Sequence, residues 1–165
     1  MIKKYLSKKS FIDLLIVFLI FFIDRISKIF VIKIVEKNNS SELFVSKFLN
    51  IHLIWNEGVA FGLFSFTKES FYNLLSLLIL LLIILIIFML FQSRGVQKYA
   101  LLMILGGALG NFFDRIFSKA VPDFIDFHVG DFHWFIFNAA DIFITIGVFF
   151  MILLEFTKSN EKKKL

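Results

Sequence analysis

The sequence has no cysteine among its 165 residues. Disulfide bonds, thiolate metal sites and a cysteine nucleophile are therefore excluded. The H-E-x-x-H pattern in which many zinc proteases hold their metal is also absent. We interpret the three histidines, His52, His128 and His133, as hydrogen-bonding groups at an interface rather than as metal ligands. A zinc site is thus poorly supplied with ligands.

Charged residues are scarce in this chain and apolar residues are abundant. They make up 19% and 59% of the sequence, and the mean hydropathy is +0.86. A soluble domain is roughly 45–50% apolar. Because the apolar surplus comes in long runs, the solvent around the chain is predicted to be membrane lipid. The net charge of +5 comes mainly from basic residues at the ends of these runs, which is typical of topology signals and not of a nucleic-acid interface.

Four apolar runs are each about long enough to cross a bilayer as a helix. They cover residues 11–30, 71–91, 99–117 and 135–156. The first run follows a basic start but ends in Phe21-Phe22-Ile23-Asp24-Arg25 and not in a small-residue cleavage site, so it is predicted to be a retained helix. The predicted fold is a membrane all-α domain over residues 1–165, with four transmembrane helices.

The basic residues predict the orientation of this domain. Four spans place both termini on one side of the membrane, together with the short link at residues 92–98. All three segments carry lysine or arginine, at Lys3, Lys4, Lys8, Lys9, Arg94, Lys98, Lys158, Lys162, Lys163 and Lys164. By the positive-inside rule this side is cytoplasmic. We therefore expect a multi-pass protein of the cytoplasmic membrane with both termini inside.

Two longer connections fall on the outer side. In residues 31–70, apolar and polar residues alternate from Leu49 to Asn56, and a turn signal follows at Gly58. We predict a small extracytoplasmic β-element there, between helices 1 and 2. Residues 118–134 mix aromatic residues with carboxylates and histidines, which suits a membrane interface. Two of the carboxylates, Asp126 and Asp131, are expected to be solvated in that loop.

Two aspartates stand out because they lie in apolar surroundings. Asp141 lies inside a run apolar enough to span a bilayer, and Asp123 lies in an apolar stretch of the outer connection. An ionisable group in such a segment is costly, so it indicates a functional site. Two carboxylates brought close together can share a proton, and such a pair can activate water against an amide.

The predicted topology brings further polar residues to the level of these aspartates. Helices 1 and 3 run outward and helix 4 runs inward, so Asp24, Asp114 and Asp141 are all expected near the outer leaflet. Helical spacing places three pairs on shared faces: Asn138 with Asp141, Asn111 with Arg115, and Asp24 with Lys28. Just before Asn111, Gly106 and Gly110 form a G-x-x-x-G pattern, which we expect to bring helix 3 against helix 4.

Some of these pairs also have a purely structural interpretation. Asp24 with Lys28 is expected to be a local ion pair at the membrane interface rather than a catalytic pair. Asp114 with Arg115 is interpreted as a second structural pair. Asp141, deep in its apolar run, has no such explanation.

Five segments of the chain resemble, in order, the motifs of the bacterial lipoprotein signal peptidases (signal peptidase II). They are residues 24–28 (DRISK), 56–62 (NEGVAFG), 106–115 (GGALGNFFDR), 121–125 (VPDFI) and 137–141 (FNAAD). The resemblance implies an integral-membrane aspartic endopeptidase with Asp123 and Asp141 as its catalytic residues. It implies that the substrate is a prolipoprotein whose lipobox cysteine carries diacylglycerol, cut on the amino side of that cysteine. It implies no metal and no organic cofactor, and we expect a monomer.

Eight further residues within these motifs are expected to bind substrate or support the catalytic pair. They are Asn56, Gly58, Asn111, Arg115, Asn138, Asp24, Lys28 and Asp114. Asn111 and Asn138 are expected to orient the two carboxylates or hold the substrate backbone. Arg115 is expected to stabilise the site or to meet a carbonyl group or a lipid headgroup, and Asn56 and Gly58 to form a wall over the peptide.

Two other classes of protein remain open at this point. A small cation transporter would use the aspartates as an ion or proton site. It would need charged or polar residues that continue across the membrane, and the second apolar run has no charged residue. A purely structural four-helix membrane protein is the third class, and it gives no reason for Asp141 to lie beside Asn138 in lipid.

Overall fold

The structure is a computed structural model that describes residues 8–58 and 68–162. These residues form helix α1 (Lys8–Asn38), strands β1 (Glu42–Val45) and β2 (Leu49–Asn56), helices α2 (Lys68–Gln92) and α3 (Gly95–Ser118), strands β3 (Val121–Val129) and β4 (Phe132–Phe137), and helix α4 (Ala139–Lys162). The predicted helices are confirmed as helices, but their ends differ. Helix α1 has 31 residues and extends well past residue 30, where the apolar run ends.

Three of the described helices are long and apolar enough to cross a membrane, over Tyr72–Gln92, Gly95–Ser118 and Ala139–Thr157. Helix α2 shows what surrounds them. Leu77, Leu81 and Leu85 are each about half exposed, on a helix that is apolar all round. Such a helix is stable only in an apolar environment, and its own backbone hydrogen bonds satisfy the peptide groups there.

Helix α3 is the central helix and packs against the other three. Its small residues permit this close packing. A Cβ atom on Gly106 would lie 2.8 Å from the Ile20 side chain of α1, and a Cβ atom on Gly107 would lie 2.5 Å from the carbonyl oxygen of Ala140 in α4. The prediction that α3 packs against α4 is confirmed, but the glycines to which it was assigned are wrong. Gly106 and Gly110 face α1, whereas the glycine between them, Gly107, faces α4.

The β-element is larger than the sequence predicts. All four described strands form one antiparallel sheet in the order β1-β2-β3-β4. Residues 118–134, expected to be an interfacial connection, thus contribute β3 and the first part of β4. The fold is mostly helical with a small antiparallel sheet, and it is not all-α.

Strand β3 is the strand that joins the two halves of the chain. It pairs with β2 from Asn56↔Val121 to Leu49↔Phe127, and with β4 through Ile125↔Phe137. The β3–β4 hairpin closes through Gly130 and Asp131, with Gly130 at φ +60°. Glycine at the first turn position fits the tight II′ turn that matches strand twist. Because β4 leads directly into α4, the hairpin fixes where α4 begins.

Candidate active site

Asp123 lies on β3 and is held by two asparagine side chains. Asn56 Nδ2 donates to Asp123 Oδ2 at 2.9 Å, and Asn138 Nδ2 donates to Asp123 Oδ1 at 2.6 Å. The three groups come from β2, β3 and the residue just before α4, so the site depends on the sheet. Asp123 is only 4% exposed. Its carboxyl group is thus buried, with both oxygens bonded to neutral donors.

Asp141 lies in the first turn of α4 and is held by the same kind of donor. Asn111 Nδ2 donates to Asp141 Oδ1 at 2.8 Å, and the backbone N–H of Asn138 donates to Asp141 Oδ2 at 3.0 Å. Asn138 therefore bonds to both aspartates, through its amide side chain to Asp123 and through its backbone to Asp141. The two carboxyl groups are joined by a single residue.

The relation between Asn138 and Asp141 is a capping box, not a shared helical face. Helix α4 begins at Ala139, whereas the sequence predicts a helix from residue 135. Asn138 is the N-cap, and its Oδ1 accepts the backbone N–H of Asp141 at 3.2 Å while Asp141 Oδ2 accepts the N–H of Asn138. This reciprocal pair satisfies two backbone donors that the start of a helix leaves free. It also fixes the carboxylate of Asp141 near the level of Asp123.

The surroundings of Asp123 favour its protonated form. Burial raises the pKa of Asp123 above its usual value. The hydrogen bonds from Asn56 and Asn138 act in the opposite direction but do not cancel the effect, and the neighbouring negative charge of Asp141 raises the pKa further. A carboxyl group in this position can hold a proton at a pH where an exposed aspartate has lost it.

A buried ion cluster supports the two aspartates from behind. Lys28 Nζ donates to Asp24 Oδ2 at 2.9 Å, to Asp114 Oδ2 at 2.7 Å and to Asn111 Oδ1 at 2.8 Å. The bond from Lys28 orients the side-chain amide of Asn111, and this amide in turn donates to Asp141. The predicted ion pair of Asp24 with Lys28 is confirmed, and it is buried inside the protein, since the two residues are 0% and 1% exposed.

Arg25 is a member of this cluster that the sequence analysis missed. Its guanidinium group donates to both oxygens of Asp114, with Nη2 at 2.6 Å from Oδ2, and also to Asp24. The predicted pair of Asp114 with Arg115 is therefore wrong, since Asp114 binds Arg25 and Lys28 instead. No local signal identifies Arg25, because its partner is 89 residues away.

Arg115 and Gly58 lie together on another side of the site. The backbone N–H of Gly58 donates to Asn56 Oδ1 at 2.8 Å, and Gly58 has φ +76°. This positive φ favours glycine, and a Cβ atom there would lie 2.9 Å from Arg115 Nη1, so the Arg115 side chain lies close against the Gly58 backbone. Arg115 Nε and Nη1 are buried and have no hydrogen-bond partner among the described residues. The rest of the second motif, residues 59–62, lies outside the described part of the chain.

Asp126 is not the solvated loop carboxylate that the sequence predicts. It is 0% exposed and lies on β3, where His133 Nδ1 is 2.8 Å from its Oδ2. Burial acts to raise the pKa of Asp126, but the hydrogen bond and charge of His133 and the charge of His52 outweigh it, so the pKa lies below its usual value. Asp131, in the hairpin turn, is exposed as predicted.

An apolar cavity of about 190 Å³ opens beside Asp141. The rest of its lining comes from β4 and the first turns of α4, at Phe135, Phe137, Ile142, Thr145 and Ile146. A long apolar group placed there would contact Asp141 at one end. Asp141 thus lies between the polar network that holds it and an apolar cavity.

Known proteins resemble this chain over nearly its whole length. A lipoprotein signal peptidase of Pelagibacter ubique (strain HTCC1062) is 49% identical over 155 residues, which are 94% of this chain and 93% of that protein. A lipoprotein signal peptidase of Anaplasma phagocytophilum (strain HZ) is 34% identical over 93% of this chain and 97% of its own length.

A solved bacterial membrane enzyme has the same fold. Its structure, determined by the in meso method at 2.3 Å resolution, superposes with a TM-score of 0.71 at 28% identity and covers 93% of this chain and 92% of its own. The model of the family described as signal peptidase (SPase) II matches residues 16–157. The match spans α1 to α4 and includes every polar residue of the site, and the chain belongs to the signal peptidase II family.

Proposed function

We propose that this chain is an aspartic endopeptidase of the membrane that removes the signal peptides of prolipoproteins. It cuts on the amino side of the lipobox cysteine after that cysteine has received diacylglycerol. The observation that carries the proposal is a pair of hydrogen bonds from Asn138. Its side chain donates to Asp123, and its backbone N–H donates to Asp141. A buried carboxyl group, that of Asp123, and a partly buried one, that of Asp141, joined in this way are the minimum that the chemistry needs.

The proposed reaction uses the two aspartates as one unit that shares a proton. The ionised carboxylate accepts a proton from water as the water oxygen adds to the scissile carbonyl carbon. The protonated carboxyl group donates to the carbonyl oxygen. The tetrahedral intermediate then collapses, the C–N bond breaks, and the amine of the cysteine leaves with a proton. Because the pair titrates together, the base and the acid are not assigned to individual residues.

The substrate is proposed to lie in the lipid with its scissile bond at the aspartates. The apolar cavity beside Asp141 accepts an acyl chain or an apolar side chain of the signal peptide. Arg115, whose buried Nε and Nη1 have no hydrogen-bond partner in the described part of the chain, suits a peptide carbonyl or an ester oxygen of the lipid. Asn56 and Gly58 form the wall on the β2 side.

We propose four membrane spans: the three apolar helices α2, α3 and α4, and in addition α1. The ionisable groups in the middle of α1, Asp24, Arg25 and Lys28, do not oppose this, because they are paired with one another and with Asp114 inside the protein. Both termini are proposed to be cytoplasmic, with the sheet and the aspartates near the outer leaflet. The proposed oligomeric state is a monomer, because one chain supplies all of the site residues.

A cation transporter remains the alternative from another class. It would need polar groups that lead from the aspartates to the opposite side. The described part of α2 has no charged residue between Tyr72 and Gln92. At the far end of α3, Lys98 pairs with Asp13, and this pair is separated from Asn111 by three turns of mostly apolar helix. The site thus favours hydrolysis at one membrane surface over transport.

The experiment that tests the function compares two substrates with one sequence. A prolipoprotein with diacylglycerol on its cysteine and the same prolipoprotein without it are incubated with the purified protein, and the products are identified by mass spectrometry. We expect cleavage only before the lipidated cysteine. Equal cleavage of the unmodified substrate would contradict the proposed specificity. Absence of cleavage by a folded protein would contradict the proposal and favour the ion-site alternative.

A further inference from the structure

A second polar cluster lies on the sheet, outside the site described above. Asn50 and His52 come from β2, Asp126 and His128 from β3, and His133 from β4. Residues two apart on a strand share a face, and Asn50 is paired with Asp126 while His128 is paired with His133. The five side chains therefore share one face of the sheet. All three histidines of the chain are in this cluster.

The cluster has the geometry of a metal site. The potential ligand atoms of Asp126, His128 and His133 all lie within 4.8 Å of one another. His52 Nδ1 is 3.9 Å from Asp126 Oδ2, so a fourth ligand is within reach. Two atoms bound to one zinc ion at about 2.0–2.1 Å stand roughly 3.4 Å apart in a tetrahedral site. The ligand atoms are up to 4.8 Å apart, so binding requires them to move closer together, and His133, whose ring stacks on that of His128, is half exposed and has room to move.

Two details favour a cation over a simple hydrogen-bonded pair. The Nδ1 atom of His128 is buried and has no hydrogen-bond partner among the described residues. A buried polar atom without a partner is costly and needs an explanation. In addition, Asn50 Nδ2 lies 3.4 Å from Asp126 Oδ2, in the place of an outer partner that orients a ligating carboxylate.

We propose that Asp126, His128 and His133, with His52 as the fourth ligand, bind a zinc ion on the sheet. Three imidazoles and one carboxylate are a ligand set that zinc accepts. The ion would join β2, β3 and β4. Since Asp123 lies three residues before Asp126 and Asn138 five residues after His133, it would stiffen the two strands that lead to the catalytic aspartates. Its role is structural, because the cluster does not contact Asp123 or Asp141.

The test measures zinc binding directly and needs no cleavage assay, so its result is independent of the proposed function. The full chain is purified in detergent with an affinity tag that contains no histidine and is stripped of metal with EDTA. Zn²⁺ is then titrated by calorimetry, and bound zinc is counted by mass spectrometry after dialysis. We expect one zinc ion per chain, and a raised thermal unfolding midpoint when zinc is bound.

His133→Asn and His128→Asn are expected to lower the zinc affinity at least about tenfold and to remove the shift in unfolding midpoint. Asp131→Asn is the matched control, because Asp131 is a neighbouring exposed carboxylate outside the cluster, and it should bind zinc as the parent does. Circular dichroism confirms that each variant is folded. A folded parent that binds no zinc, or histidine variants that bind it equally well, would overturn the proposal and leave a hydrogen-bonded histidine–aspartate cluster.

Discussion

Asp24 Oδ1 accepts a hydrogen bond from the backbone N–H of Ala140 at 3.1 Å, across 116 residues of sequence. Ala140 is in the first turn of α4, where a negative charge is stabilised by the helix dipole. The same carboxylate binds Lys28 through Oδ2. Asp24 therefore connects the ion cluster to the helical turn that carries Asp141.

Asn138 has two separable roles, in capping α4 and in binding Asp123. Asn138→Ala removes both, and the lost cap should cost about 1 kcal/mol of stability. Asn138→Ser keeps a capping oxygen but loses the amide that donates to Asp123. We expect a lower unfolding midpoint for Asn138→Ala than for Asn138→Ser, because only the serine keeps a cap, and roughly 100-fold lower kcat for both variants. Near-parental activity in Asn138→Ser would show that the contact with Asp123 is dispensable.

Lys28 is expected to contribute strongly to the stability of the fold. Lys28→Met would leave two buried carboxylates, Asp24 and Asp114, without part of their counter-charge, and breaking a buried ion pair costs about 3–5 kcal/mol. Lys98→Met breaks the partly exposed pair with Asp13 and should cost about 1 kcal/mol or less. The two variants are compared by thermal unfolding in the same detergent. Similar losses in both would contradict the central position given to Lys28.

Gly107 sets the distance between α3 and the first turn of α4. Gly107→Ala places a Cβ atom 2.5 Å from the Ala140 carbonyl oxygen, and overpacking of this kind costs about 1–3 kcal/mol. Gly147→Ala produces a similar clash, at 2.7 Å from the Ala100 carbonyl oxygen, at the other end of the same helix pair. Both variants should be less stable. Only Gly107→Ala should also lose activity per folded molecule, because only it moves Asp141.

The raised pKa of Asp123 predicts how stability depends on pH. The folded protein keeps this proton in a range where the unfolded chain has lost it. The resulting stabilisation is fully present below the usual aspartate pKa of about 3.9 and is lost as the pH rises through the raised folded value. Asparagine does not titrate, so the unfolding midpoint of the parent should fall relative to Asp123→Asn as the pH rises through this window. Asp131→Asn should follow the parent, and a constant difference between the parent and Asp123→Asn would contradict the raised pKa.

The sequence predicts the helices and the level of the site well, because both depend on local composition and on topology. Runs of apolar residues define where the helices lie. The direction of each helix then brings Asp24, Asn111 and Asp141 to one level, and the structure joins these three side chains through Lys28 and Ala140. The motifs shared with signal peptidase II then indicate which of the polar residues are expected to be catalytic and which to support them.

The parts that the sequence does not predict depend on distant pairing. Strand β3 is buried on both faces from Val121 to Phe124, so it shows no alternation of apolar and polar residues, and its partner β2 is about 70 residues away. Arg25 and Asp114, which form an ion pair, are separated by 89 residues of sequence. One local signal was available, since Asn138 followed three residues later by an acidic residue is a typical start of a helix.

The two-aspartate mechanism is tested by measuring how fast diacylglyceryl-modified prolipoprotein is cleaved. The variants are Asp123→Asn, Asp141→Asn and the double variant, and the controls are the parent and Asp131→Asn. Residues that act as one unit give losses that do not add. We predict that each single variant is folded and loses at least about 1,000-fold in rate, that the double variant is hardly slower than either, and that Asp131→Asn cleaves normally. A single variant that retains substantial activity would contradict the two-aspartate mechanism.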